Sequence, residues 1–250
     1  MKFLVIGSGG REHAITWKLS QSELCTKIYV APGNAGTEEE PKTENIDFRA
    51  EDLEGLLSFA KNQEIDLTIV GPEAPLVSGL IDLFEANDLL CLGPNKLAAQ
   101  MEGSKIFMKD VLKKGNIPTA AYEVFSDPLL AKKYLENCEI PIVLKADGLA
   151  GGKGVIVAFS REEALEALNS LMVDKKLGSA GDILVIEEFL EGEEASFIVL
   201  CDGESILPLA SSQDHKQRDD GDKGPNTGGM GAFSPTPLID KEYNLSLIHI

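Results

Sequence analysis

The chain reads as α/β: a parallel-sheet amino-terminal domain followed by a second domain in which strands flank glycine-rich turns. Three observations predict it. Short apolar runs alternate with helical stretches from Lys2 to Leu92, as successive βαβ units do. Gly71-Pro72 and Gly93-Pro94 close two of those runs. The length of 250 residues and a hydrophobic content of 43% leave room for two domains.

Taken in order, Lys2 to Ile6 is a strand that stops at glycine, Arg11 to Ser20 a helix, and Lys27 to Ala31 a second strand. A helix over Ala50 to Asn62, a strand at Asp66 to Val70, a helix near Leu76 to Asn87 and a strand at Leu89 to Leu92 continue the pattern, so the sheet is parallel with helices on both faces. A second unit begins near Gly103. There Lys105 to Lys114 reads as a helix, Glu123 to Phe125 as a strand and Pro128 to Asn137 as a helix opened by proline. Strands at Pro141 to Lys145 and Gly154 to Phe159 flank a glycine-rich turn, and Arg161 to Met172 is a helix. Strands at Ile183 to Glu187 and Ala195 to Cys201 follow, joined by an acidic linker. There is no internal repeat and no low-complexity tract.

The charge balance, 23 basic against 41 acidic residues for a net of -18, argues against nucleic acid or an anionic membrane as partner. An anionic ligand would need a local pocket of basic groups or backbone amides. Cys25, Cys91, Cys138 and Cys201 lie far apart with no CxxC pair, which predicts reduced, mostly buried thiols rather than a zinc site or a disulfide framework. The first apolar run is too short for a signal peptide and no later run approaches the ~20 residues that span a bilayer, so a cytoplasmic protein is expected.

Val5-Ile6-Gly7-Ser8-Gly9-Gly10-Arg11-Glu12 begins like a dinucleotide fingerprint, with Gly7 and Gly9 free to make a tight turn under a phosphate. The third glycine is missing. Glu12 stands in its place, and no acidic residue ends the second strand, so a nicotinamide site is disfavoured. Arg11 would add charge to exposed amides at the helix start. Glu73 follows the carboxyl end of a strand, where open α/β sheets place ligand contacts.

The second glycine-rich segment, Lys145-Ala146-Asp147-Gly148-Leu149-Ala150-Gly151-Gly152-Lys153-Gly154, sets a lysine on each side of its turn. It is not a Walker loop, because Asp147 takes the place of the first glycine and Gly154 that of the hydroxyl residue. A mobile flap folding over polyphosphate fits it better. Downstream, the acidic, apolar-flanked linker within Val185 to Ser196 offers apolar groups and backbone to an adenine ring, and one of its carboxylates to ribose hydroxyls; a solvated acidic turn is the alternative.

Seven blocks then stand in one register: Gly9 to Ala14, Ala31 to Thr37, Gly71 to Leu76, Lys145 to Ala150, Glu193 to Phe197, Ser212 to Lys216, and Gly224 to Gly231. Together they resemble the phosphoribosylamine–glycine ligase family of the ATP-grasp superfamily. The last block, Gly-Pro-Asn-Thr-Gly-Gly-Met-Gly, is the most specific. Other purine-pathway ATP-grasp ligases share the flap but not this block.

The resemblance implies a pre-ATP-grasp, substrate-binding domain over residues 1–103 and an incomplete ATP-grasp domain over 104–244. The flap would occupy about 120–188 and the start of the catalytic part 189–244. It implies ATP, glycine and 5-phosphoribosylamine as substrates and Mg2+ or Mn2+ as companion of ATP; a monomer is expected, although the sequence itself does not reveal the oligomeric state. Lys105, Lys145 and Lys153 would hold phosphates, Glu187 and Leu190 the adenine edge, and Glu194 the ribose. Gly9, Gly10, Arg11, Glu12, Asn34 and Glu73 would cradle the phosphoribosylamine. Asp214 and Lys216, with the loop Asn226, Thr227, Gly228 and Gly229, would serve glycine and the reacting centre, with Lys145, Asp214 and Lys216 acting in catalysis. The family's metal ligands, a Glu and an Asn, are expected beyond residue 250, so the chain by itself is expected to be inactive. Residues 245–250 are expected to be a non-native tail, because Leu245-Ser246-Leu247-Ile248-His249-Ile250 is what a transposon sequencing adapter encodes in frame. The alternatives are another purine-pathway ATP-grasp ligase or a non-catalytic nucleotide-binding fragment.

Overall fold

The computed structural model describes residues 1–149, 154–221, 223–239 and 247, apart from the side chains of 225 and 226. The first sheet has the order β3-β2-β1-β4-β5, and every neighbouring pair is parallel. Its strands are β1 (Lys2–Gly7), β2 (Lys27–Pro32), β3 (Thr43–Asn45), β4 (Leu67–Val70) and β5 (Cys91–Leu92). Alternation along β1 explains why both faces are covered. Leu4 and Ile6 join a cluster with Leu56, Leu80, Ile81 and Phe84, whereas Phe3 and Val5 join Cys25, Ile28 and Val30 on the other face.

The helices of this half are α1 (Gly10–Ser20), α2 (Ala35–Glu38), α3 (Leu53–Gln63), α4 (Glu73–Ser78) and α5 (Leu80–Glu85). Local chemistry sets their ends. Asp52 caps α3 by accepting from the Gly55 amide at 3.0 Å, and Glu64 ends it in the left-handed region at φ 54°. The single helix expected near Leu76 to Asn87 is instead two, α4 and α5. Gly79, at φ 97°, breaks it in a conformation that only glycine adopts without strain. The strand expected from Leu89 shrinks to Cys91–Leu92, and the short α2 and β3 were not anticipated.

Helices α6 (Gln100–Gly103) and α7 (Lys105–Lys114) lead to the second sheet, of order β6-β9-β7-β8, which is antiparallel throughout. It comprises β6 (Tyr122–Phe125), β7 (Ile142–Ala146), β8 (Val155–Ala158) and β9 (Leu184–Glu188). One face carries Ile142, Leu144, Leu184 and Ile186, and buries them against Ala131 and Leu135 of α8 (Pro128–Leu135) and Ala164, Ala167 and Leu168 of α9 (Arg161–Leu168). Beyond α9 the expected helix loosens into a π-turn over Asn169–Val173, which keeps Leu171 and Met172 in that core.

The remaining chain forms two ribbons, β10 (Val199–Cys201) with β11 (Ile206–Pro208), and β12 (Gln213–Asp219) with β13 (Lys223–Phe233). The strand expected over Ala195 to Cys201 is therefore shorter; Ser196 makes only an isolated bridge to Ser212. No described helix is long and apolar enough to cross a membrane.

The expectation of mostly buried cysteines needs correcting, since Cys25 is buried, Cys91 and Cys138 are half-buried, and Cys201 is exposed. Burial, reinforced by Glu85, pushes the Cys91 thiol up to about 12, so it holds little thiolate near neutrality. An aromatic disulfide reagent is expected to react first at Cys201 in the native protein. The Cys201→Ser variant should lose that fast phase; retention of the phase would contradict the exposure seen here.

Candidate active site

Three turns meet at the carboxyl ends of β1, β2 and β4, on either side of the point where the strand order reverses. The Asn34 amide donates to the Ser8 carbonyl at 2.9 Å, and its side-chain oxygen caps α2 by accepting from the Gly36 and Thr37 amides. Arg11 donates to Glu73 at 3.1 Å across the mouth. Beneath them Glu12 is 3% exposed; its Oε2 accepts from the Gly9 amide at 2.6 Å, and its Oε1 has no partner among the described residues. Gly71 crosses so close over this carboxylate that a Cβ there would collide with it. Gly9, Arg11, Glu12, Asn34 and Glu73 thus gather in one cradle, with Gly10 opening α1. His13 hydrogen-bonds Glu40 at 2.9 Å.

The second cluster follows from register. Val143 pairs with Glu187 and Lys145 with Val185, which places Lys145 and Glu187 diagonally on the face of the sheet opposite α8 and α9. Lys145 Nζ donates to Glu187 Oε2 at 2.8 Å. The same oxygen lies 3.3 Å from Nζ of Lys109, a residue of α7 that is 1% exposed. Lys105 stands one helical turn before Lys109 and donates to the Gly148 carbonyl at 3.2 Å. Desolvation holds the Lys105 ammonium below its usual range, against the pull of Asp147. A partly dehydrated ammonium is well suited to take a phosphate oxygen as replacement ligand.

Asp147 ties the turn after β7 to the start of α7. Its carboxylate accepts from the Lys105 amide at 2.6 Å and the Ile106 amide at 3.3 Å, while the Ser104 hydroxyl accepts from Phe107 at 3.2 Å. Asp147→Ala is expected to lower stability by about 1–2 kcal/mol through the lost cap. It should also weaken nucleotide binding, because Lys105 loses its fixed position. Thermal unfolding with a parallel ATP titration checks both effects.

The third cluster lines a groove of about 1090 Å³. Val157, Phe159, Phe189 and Leu190 give it apolar surface, and Glu194, Asp214 and Lys216 give it charge. The Phe159 and Phe189 rings meet edge to face at 5.8 Å. The Lys216 ammonium hydrogen-bonds Glu194 and lies 4.0 Å from Asp214, and the Glu194 contact raises its proton affinity.

Of the segment expected as a loop at Asn226, Thr227, Gly228 and Gly229, all within strand β13, Asn226 pairs with Gln217 while Thr227, Gly228 and Gly229 stand outside the ladder. Where β12 advances two residues, His215 to Gln217, β13 advances five, Gly231 to Asn226. Thr227 pins this bulge by donating to the Lys216 carbonyl at 2.9 Å and accepting from the Gly229 amide at 3.0 Å, with Gly229 at φ 120°. Lys153 and the Asn226 side chain lie outside the described residues.

No hydrogen bond or ion pair among the described residues joins the first cluster to the third. Strand β9 joins the second to the third, since Glu187 lies two residues before Phe189. Sequence reasoning missed Lys109 and the capping role of Asp147. The signal for Lys109 was its spacing of four from Lys105. No group of three His, Cys, Asp or Glu side chains among the described residues could hold a metal ion.

A lysine on an antiparallel sheet, with two more on the neighbouring helix α7, beside an apolar groove and following a parallel-sheet domain, is the arrangement of the ATP-grasp class. Residues 1–102 match the N domain of phosphoribosylglycinamide synthetase and residues 103–249 its ATP-grasp (A) domain, so the chain belongs to that family. Phosphoribosylamine–glycine ligase of Yersinia pestis is 59% identical over 98% of this chain, and that of Allochromatium vinosum 56%. The chain spans 57% of the length of each.

The crystal structure of phosphoribosylamine–glycine ligase from Thermotoga maritima superposes with a TM-score of 0.82 at 31% identity, covering 100% of this chain and 59% of that one. The biotin carboxylase domain of Hydrogenobacter thermophilus 2-oxoglutarate carboxylase, solved with MgADP and bicarbonate, gives 0.75 at 19% identity, over 99% of this chain and 56% of that one. The latter likeness shows the fold alone. The α/β class and the family expected from the seven blocks both hold.

Proposed function

We propose that this chain carries the substrate- and nucleotide-binding part of an enzyme that joins glycine to 5-phosphoribosylamine at the expense of ATP, in purine biosynthesis. Residues 1–103 form the substrate domain and 104–244 the ATP-grasp domain of a cytoplasmic monomer; ATP is accompanied by Mg2+ or Mn2+. The observation that carries the reading is the lysine and glutamate pair on β7 and β9 beside the Phe159, Phe189 and Leu190 groove, in a chain so similar to ligases named for this reaction.

The γ-phosphoryl group of ATP passes to the glycine carboxylate and ADP leaves. The amine of phosphoribosylamine then attacks the acyl phosphate, a C–N bond forms, the C–O bond to phosphate breaks, and the amine loses a proton. Such chemistry asks chiefly for positioning and charge stabilisation. Lys105 and Lys145, with Lys153, hold the polyphosphate. Glu187 and Leu190 meet the adenine edge and Glu194 the ribose. Asp214 and Lys216 flank the reacting carboxylate, and the Asn226 to Gly229 bulge closes over it. The cradle of Gly9, Gly10, Arg11, Glu12, Asn34 and Glu73 takes the phosphoribosyl group.

Isothermal titration with ATP, and separately with ribose 5-phosphate as a stable stand-in for the labile amine, tests this. Each is expected to bind once. Arg11→Ala should weaken the sugar phosphate by roughly 10- to 150-fold, the worth of a charged hydrogen bond, and leave ATP unchanged. A folded chain that binds NAD in place of ATP, or neither ligand, would overturn the proposal.

A further inference from the structure

Glu187 is 4% exposed, and its Oε2 serves two ammonium groups. Those groups are not equivalent. Lys145 has a quarter of its side chain open to solvent, at 25%. Lys109 is sealed in: its Nζ donates to Thr119 Oγ1 at 2.8 Å and to the Ala120 carbonyl at 3.1 Å, and it lies 5.1 Å from the centre of the Tyr122 ring. Three oxygens and an aromatic face fix Lys109 at 1% exposure, whereas among the described residues Lys145 is held by Glu187 alone.

A buried carboxylate left without a counter-ion is strongly unfavourable, so a lone lysine paired with Glu187 would resist leaving it. We propose that Lys109 is the resident counter-ion of Glu187, and that its presence is what lets Lys145 swing from Glu187 to a nucleotide phosphate without stranding a buried charge. Lys109 is thus a positioning residue: it touches no substrate and acts through Glu187 on the mobility of Lys145. Glu187 Oε1, without a partner among the described residues, fits this arrangement, because both cations gather at the other oxygen. The inference rests on the nucleotide reading of the site given above.

The test compares affinities for ATP and for adenosine, by competition against a fluorescent adenine nucleotide, since only the first uses a phosphate ligand. In Lys109→Met, Lys145 becomes the sole partner of Glu187. ATP should then bind about tenfold more weakly or worse, with adenosine changed less than about twofold; tenfold corresponds to about 1.4 kcal/mol. Adding Glu187→Gln removes the charge that traps Lys145. The double variant should recover the ATP-to-adenosine ratio to within about threefold of the parent.

A Lys109→Met protein that folds and keeps the parent ratio would refute the role of Lys109, as would a double variant that keeps the deficit. Should Lys109→Met not fold, Glu187→Gln alone decides. It frees Lys145 outright, so its ratio must equal or exceed that of the parent, and a fall refutes the idea. A parent chain that prefers ATP no more than adenosine refutes the phosphate-binding reading itself and the role of Lys109 with it.

Discussion

Glu187→Ala is expected to destabilise the second sheet by about 3–5 kcal/mol, the range seen when one partner of a buried ion pair is removed. Lys109 keeps its bonds to Thr119 and Ala120 but loses its only carboxylate among the described residues, and at 1% exposure it gains no water in exchange. Glu187→Gln keeps the shape and an acceptor oxygen and should cost much less. Urea denaturation followed by circular dichroism reads the loss. The single tryptophan, Trp17, lies on the exposed side of α1, whose Ile15 and Leu19 pack on the first sheet, so its fluorescence transition reports on that half and should stay in place. A loss below about 1 kcal/mol would mean that Lys109 is not held as a desolvated cation.

Phe84→Ala should act on the other half with similar force. Phe84 is fully buried among Leu4, Ile6, Leu56, Leu80 and Ile81, where α5 packs on the first sheet. Emptying such a site costs about 3–5 kcal/mol, because the walls of a close-packed core relax only in part. Here the Trp17 transition should move. Ribose 5-phosphate affinity should fall with it, since the cradle hangs from the ends of β1 and β4, whose Ile6 and Val70 belong to the same cluster. An unchanged Trp17 midpoint would place Phe84 outside the cooperative core.

These two sites also show what could be read from the chain itself. Runs such as Lys2 to Ile6 and Ile183 to Glu187 declare strands because their apolar content and bounding residues leave little choice. The cradle was legible because its glycines and Asn34 sit at strand ends, where topology alone brings them together. The break at Gly79 was not, because an isolated glycine inside an apolar period is compatible with a helix until tertiary packing selects the left-handed backbone.

β12 and β13 escaped notice for a related reason. A run with glycines at 224, 228, 229 and 231 has poor strand propensity, and only its non-local pairing makes it a strand. Lys109 is easily passed over because lysines are almost never fully buried, and its spacing from Lys105 does not announce the carboxylate 78 positions away that keeps it there.

The surplus in β13 separates two properties usually entangled. Residues 227–230 contribute no paired position to the ribbon, while Gly231 to Phe233 on one side and Lys223 to Asn226 on the other supply the ladder. Shortening the outpouching by three residues would match the two strands between His215 and Gln217, leaving only the one-residue shift between Gln217 and Asp219, and the hairpin would still be able to zip. Such a deletant should therefore fold yet lose the contour that the surplus imposes over Lys216. Folding would then tolerate length drift at this point, and the three extra residues would be kept for the contour they give over Lys216.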